Sequence, residues 1–127
     1  MSGMKPDRWV PLNNLPQALY LEALYDDYEG FRFVLKGEDS SSRSLRITFD
    51  DVLSYRNTDE GALLETLSNF NFGGWSLFTS QTSNYIDWFI SESGGIYDEN
   101  DIVHYFVYTP NDCVDILSTA PPRVELL

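Results

Sequence analysis

The chain has 127 residues, 43% of them hydrophobic and 15% aromatic, and sets 20 Asp plus Glu against 8 Lys plus Arg for a net charge of −12. That apolar content excludes a disordered acidic chain. The length suits one domain, residues 1–127, that buries roughly two-thirds of its unfolded surface without a disulfide or metal staple. The charge argues against direct binding of nucleic acid or of an anionic membrane, and it favours a basic protein partner whose association is accelerated at low salt. A plainer reading is that the acids serve solubility alone.

Cys113 is the single cysteine, so no intramolecular disulfide forms and a reducing, cytoplasmic setting is expected. Met1 to Arg8 lack the apolar run of a secretory signal. No stretch reaches the roughly 18 apolar residues of a membrane span.

Residues 1–18 read as an extended arm, because Pro11 and Pro16 push their predecessors out of helix. From Leu19 to Tyr25 the spacing predicts a strand with Leu19, Leu21, Ala23 and Tyr25 on one side; a helix capped by Asn14 is the alternative over residues 19–27. Asp26 to Gly30 then form a turn, with Gly30 free to take positive φ. Phe31, Phe33 and Leu35 alternate with Arg32, Val34 and Lys36, and Leu45, Ile47 and Phe49 alternate with Arg46 and Thr48, the period of half-buried strands. The polar run from Gly37 to Ser44 suits an antiparallel connection.

Asp50-Asp51 make a turn into a short strand from Val52 to Arg56. Thr58 or Asp59 offers a cap for a short helix that carries Leu63, Leu64 and Leu67. Asn69 to Thr79 is too irregular to assign. Ser83 or Asn84 caps a second helix through Tyr85, Ile86, Trp88, Phe89 and Ile90, which Gly94-Gly95 stop. Val103 to Tyr108 is a strong strand, Thr109 to Asp112 a type I turn, and Cys113 to Leu117 the returning strand. Pro121-Pro122 end regular structure. The sum is an α+β fold: mainly antiparallel β-sheet, meander- or sandwich-like, with one or two short helices.

Chemistry is sparse. His104, the lone histidine, sits mid-strand and reads as a satisfied structural residue before a general base. No Cys/His spacing suits a metal and no D-x-D-x-D-G loop suits calcium, so neither metal nor cofactor is expected. Gly73-Gly74 and Gly94-Gly95 lack a phosphate-loop context. The chain therefore reads as a binding module and not an enzyme. Acids and tyrosines at element boundaries form the candidate partner surface: Asp26, Asp27, Tyr28, Glu29, Asp50, Asp51, Tyr97, Asp98, Glu99 and Asp101. Tyr55, Arg56 and Glu60 read as an internal hydrogen-bond and ion-pair network.

The stretches Leu45–Gly61 (LRITFDDVLSYRNTDEG), Ser83–Phe89 (SNYIDWF) and Val103–Ser118 (VHYFVYTPNDCVDILS) resemble small bacterial immunity proteins, encoded beside polymorphic or contact-dependent growth-inhibition toxins. The resemblance spans roughly residues 19 to 122 and is one of style, with no diagnostic motif. It implies that the chain binds a cognate toxin domain inside the producing cell and blocks its active site. Many such toxins are nucleases, whose basic clefts suit an acidic inhibitor. No site residue carries over from that likeness. Two alternatives stand beside it: a nucleic-acid mimic that inhibits a DNA-binding protein, and a small hydrolase using His104 with a nearby Asp.

Overall fold

Phe31, Phe33 and Leu35 on one strand, and Leu45, Ile47 and Phe49 on the next, all turn to the same side and are at most 5% exposed. They form half of the central core. A computed structural model describes residues 6–39, 43–63, 67 and 70–127. Its strands are β1 (Asp7–Arg8), β2 (Leu19–Asp27), β3 (Gly30–Gly37), β4 (Leu45–Phe49), β5 (Val52–Asp59), β6 (Leu77–Ser80), β7 (Val103–Tyr108), β8 (Asp112–Ser118) and β9 (Arg123–Leu126). One sheet has the order β1-β6-β7-β8-β5 and the other β2-β3-β4-β9. Every neighbouring pair is antiparallel.

The two sheets share one core. Tyr105 and Val107 of β7, with Val114 and Ile116 of β8, meet the Phe and Leu residues of β3 and β4. Phe49 sits at the join, with its ring 5.0 Å from Tyr105 in one sheet and 6.0 Å from Phe33 in the other. The alternate residues of β7 and β8 face outward, yet they too are buried. The helix α1 (Asn84–Glu92) covers one part through Tyr85, Ile86, Phe89 and Ile90, which pack on Ile102, Leu117 and Leu53. Leu63, Leu67, Phe70, Phe72 and Trp75 cover the rest, against Phe78, Phe106, Tyr108 and Cys113. The architecture is thus a mainly antiparallel, two-sheet α+β fold with α1 on one outer face.

Local chemistry accounts for the joints. Gly30 takes φ +111 at the β2–β3 hairpin, a conformation that costs a side-chain-bearing residue. Ser83 caps α1 by accepting from Ile86 N, and the helix stops where Gly94 and Gly95 take φ +68 and +78. The β7–β8 turn closes with Thr109 N donating to Asp112 O and Asp112 N donating to Thr109 Oγ1. Among the described residues, no helix is long and apolar enough to cross a membrane.

Several expectations change. Residues 19–27 are strand throughout, but a bulge between Leu21 and Ala23 breaks their alternation. Leu24 therefore joins Leu19 and Leu21 at the core, while Tyr25 is exposed beside Arg32. After Asp59 the chain makes a 3-10 turn, Glu60–Ala62, and Leu67 beyond it is helical, its N–H donating to Leu63 O at 2.9 Å as in the expected short helix; Leu64 lies outside the described residues. Leu77–Ser80, at the end of the irregular run from Asn69 to Thr79, is a strand between β1 and β7. Pro121-Pro122 do not end regular structure: they lack donors themselves, but Arg123 regains one and β9 pairs with β4. The arm is docked, since Asp7 and Arg8 pair with β6 and Trp9 packs edge-on against Tyr105 at 5.2 Å.

Because Phe49 bridges both sheets, Phe49→Ala is expected to cost about 3–5 kcal/mol, read as a lowered urea midpoint with unchanged slope. A loss below about 1 kcal/mol would show that the sheets do not depend on this joint.

Candidate functional site

Asp115 lies at the middle of β8, on the outward side of its sheet, and is 0% exposed. Its direct cross-strand neighbours are Arg56 on β5 and Phe106 on β7. His104 and Tyr108 flank Phe106 on the same side of β7, so both reach diagonally to the carboxylate. His104 Nε2 lies 2.6 Å and Tyr108 Oη 2.7 Å from Asp115 Oδ1, and Arg56 Nε donates to Oδ2 at 2.9 Å. His104 stacks on Phe106 at 3.8 Å, with the Tyr85 ring edge-on to it. Its Nδ1 is 2.8 Å from Ser83 Oγ, the oxygen that caps α1. Among the described residues, no buried side-chain polar atom lacks a partner.

Burial pushes the His104 pKa down and outweighs the Asp115 bond that would raise it, so the imidazole is neutral. Burial alone would push the Asp115 carboxyl up, but the hydrogen bond from His104 and the charge of Arg56 hold it below the ordinary carboxylate range. An ionised Asp115 then accepts a hydrogen bond from the Nε2–H of the neutral ring, leaving Nδ1 to accept from Ser83 while Ser83 Oγ accepts from Ile86 N. Burial and then Asp115 push the Tyr108 hydroxyl up. The Cys113 thiol is pushed up to about 12 by burial and the surrounding carboxylates, so it is no thiolate nucleophile at neutral pH.

Ser83, His104 and Asp115 have the connectivity of a nucleophile, base and orienting acid. Their surroundings differ from that use. Ser83 and His104 are each 1% exposed, which leaves no approach to Oγ in this conformation, and Asp115 is shared with Arg56 and Tyr108.

The expected network of Tyr55, Arg56 and Glu60 is not one cluster. Arg56 bonds Asp115 on the outer side of its sheet. Tyr55 turns to the core, with its ring 4.5 Å from Phe31; its hydroxyl pKa is raised by burial and by a hydrogen bond with Asp26. Glu60 is exposed in the 3-10 turn.

The expected partner-surface residues are all exposed, and strand register brings them to one end of the molecule. Phe31 pairs with Phe49, so the Asp26–Glu29 hairpin and the Asp50-Asp51 turn are neighbours. Ser118 is the partner of both Val52 and Val103. That places the Asp50-Asp51 turn beside the run from Tyr97 to Asp101 that leads into β7. Ser118 Oγ donates to Asp51 O at 3.1 Å, which closes the same corner. Tyr28 is 97% exposed and Ile96 82%. Asp27 and Glu29 share Arg32, and Asp50 pairs with Arg123; such exposed pairs are worth little and still present a carboxylate-rich rim. Asp59 and Glu60 lie at the opposite end, where Asp59 pairs with Asp112. Among the described residues, no cluster of three or more His, Cys, Asp or Glu is placed to hold a metal ion.

Fold and site together define a two-sheet antiparallel domain built on a buried carboxylate, with an acidic rim at one end. Comparison with protein-family models, curated proteins and solved structures gave no match to the chain.

Replacing Asp115 with Ala strands Arg56, His104 and Tyr108 together and is expected to cost about 3–5 kcal/mol, measured by urea denaturation. The unfolded chain protonates His104 at the ordinary value of 6.5, whereas the folded chain resists it. Stability should therefore fall as pH drops below 6.5, by at most about 1.4 kcal/mol per pH unit for this group. Asp115 adds a further loss as pH falls below 3.8 towards its lowered folded value. In His104→Gln the slope between about pH 7 and about pH 5.5 should flatten; an unaltered slope would remove His104 as its source.

Proposed function

We propose that the protein is a non-catalytic inhibitor that binds a basic protein partner in the cytoplasm and occludes its active site. In the manner of bacterial immunity proteins, that partner is a cognate, nuclease-type toxin domain. The observation that carries this reading is the convergence of the Asp26–Glu29, Asp50-Asp51 and Asp98–Asp101 loops on one end, with Tyr28, Ile96 and Tyr97 exposed among them. Carboxylates there supply long-range attraction, and the tyrosines and isoleucine supply desolvated contact area. A cleft that binds a phosphate backbone is lined by Lys and Arg, so the same rim that attracts it also excludes its substrate. A stable complex of this kind buries about 1,200–2,000 Å² in total, which reaches beyond any one of these loops and so engages them jointly. Nothing in this scheme needs a reacting group.

The test is a pull-down with the full chain as bait in lysate of its native host, at low and at high salt. One basic protein retained in equimolar amount at low salt, and released at high salt, is the expected result. Retention of nothing at low salt would overturn the reading, and capture of a DNA-binding protein without nuclease activity would favour a nucleic-acid mimic. With the partner in hand, Asp→Asn at Asp26 and Asp27, or separately at Asp98 and Asp101, should slow association several-fold, roughly, and flatten its salt dependence. Unchanged association rates at low salt for both variants would remove the rim from the interface.

A further inference from the structure

Between β5 and the first turns of α1 runs a groove of about 590 Å³ lined by Ser54, Arg56, Leu63, Asn84, Tyr85 and Trp88, within the usual range for small-ligand sites. None of these residues belongs to the acidic loops, so a ligand bound here is independent of the proposed inhibition. The groove is braced from beneath. Asp115 takes Arg56 Nε at 2.9 Å, and the guanidinium carbon lies 4.4 Å from the centre of the Tyr85 ring. Those two contacts fix the plane of the guanidinium, while the side chain stays 44% exposed. Among the described residues, its terminal Nη groups make no hydrogen bond. Beside it, Trp88 stacks on Tyr85 at 5.8 Å and is itself 52% exposed. Ser54 Oγ and Tyr85 Oη are 2.5 Å apart at the same wall.

An oriented guanidinium fork whose Nη donors meet no partner among the described residues suits a planar acceptor pair, and its fixed geometry saves the ordering cost of binding. An uncovered indole and a leucine next to it offer area for a ring or alkyl chain. A phosphate would gather more donors than this fork supplies and would gain nothing from Trp88. We propose that this groove binds a carboxylate carried on an aromatic or bulky apolar group, the oxygens on Arg56 and the apolar part against Trp88 and Leu63. Two sources share that chemistry: a free arylalkanoic acid, and a Glu or Asp side chain beside an aromatic residue of a protein. The net charge of −12 opposes anions at long range, but at physiological ionic strength screening confines that effect to about 8 Å. Contact with the fork then decides.

The experiment is an NMR titration of the isotope-labelled full chain at physiological ionic strength, following the Trp88 indole N–H and the Arg56 Nε–H. The probes are hydrocinnamate, the uncharged hydrocinnamamide and acetyl-Phe-Glu-amide. Saturable shifts with a carboxylate and none with the carboxamide are expected; response to hydrocinnamate identifies the small acid as the source, and response to the peptide alone identifies a protein carboxylate. Trp88→Ala, a surface change that leaves the Asp115 network in place, should weaken binding about five-fold. Arg56→Gln should abolish it in protein whose spectrum remains folded. Absence of shifts with both carboxylates, equal shifts with the carboxamide, or undiminished binding in Trp88→Ala would overturn the proposal.

Discussion

Burying a carboxylate away from water is tolerable only when its lone pairs are taken by charge-assisted or hydroxyl donors. Asp115 sits at zero exposure, and the outer face of its sheet is arranged around that need. Three partners come from two neighbouring strands, and two of them occupy the places on β7 from which a diagonal reach is possible. His104 then carries the demand one step further, to Ser83 and so to the start of α1. The helix is thus attached by apolar packing and by a polar chain that specifies where its first turn must lie. Polar networks of this kind fix one arrangement among several that hydrophobic packing alone would allow.

Much of the sheet is legible in the sequence because alternation survives where one face is buried. β3, β4, β7 and β8 fall where Phe31 to Leu35, Leu45 to Phe49, Val103 to Tyr108 and Cys113 to Leu117 predict them. β2 is legible as a strand but not in its facing, because one bulged residue at Glu22 reverses every side chain after it. β6 is four residues long with a serine at its end, too short to show a period. β9 hides behind two prolines. Asp115 carries a subtler signal: an acid inside the apolar run Cys113-Val114-Asp115-Ile116-Leu117 needs a buried donor, and the chain has one histidine. The acidic rim is half legible. Turn chemistry locates its loops, whereas their shared end depends on register, which no local pattern encodes.

The few cations are distributed unevenly in role. Arg32, Arg46 and Arg123 meet carboxylates at exposed positions, where each pair adds little and mainly sets the local field. Arg56 differs because its partner is buried, so its position is determined from inside the fold. The same side chain therefore belongs both to the interior network and to the wall of a surface groove. By contrast, the acidic rim is carried by hairpin tips and turns, and it meets the core where Asp26 hydrogen-bonds with Tyr55.

The pairing of β4 with β9 joins Arg46 to Glu125 across 79 positions. During synthesis β3 and β4 emerge early, with Phe and Leu residues on one face, and β4 keeps an open row of backbone donors and acceptors until the last strand arrives. Such an edge templates pairing with other chains, and long-range closures of this kind are slow. The interval between the appearance of β4 and the arrival of β9 is therefore when the nascent chain is most exposed to misassembly. Arg46 on β4 and Lys36 at the far end of β3 place charge on that strand pair, the usual natural deterrent to edge-to-edge aggregation.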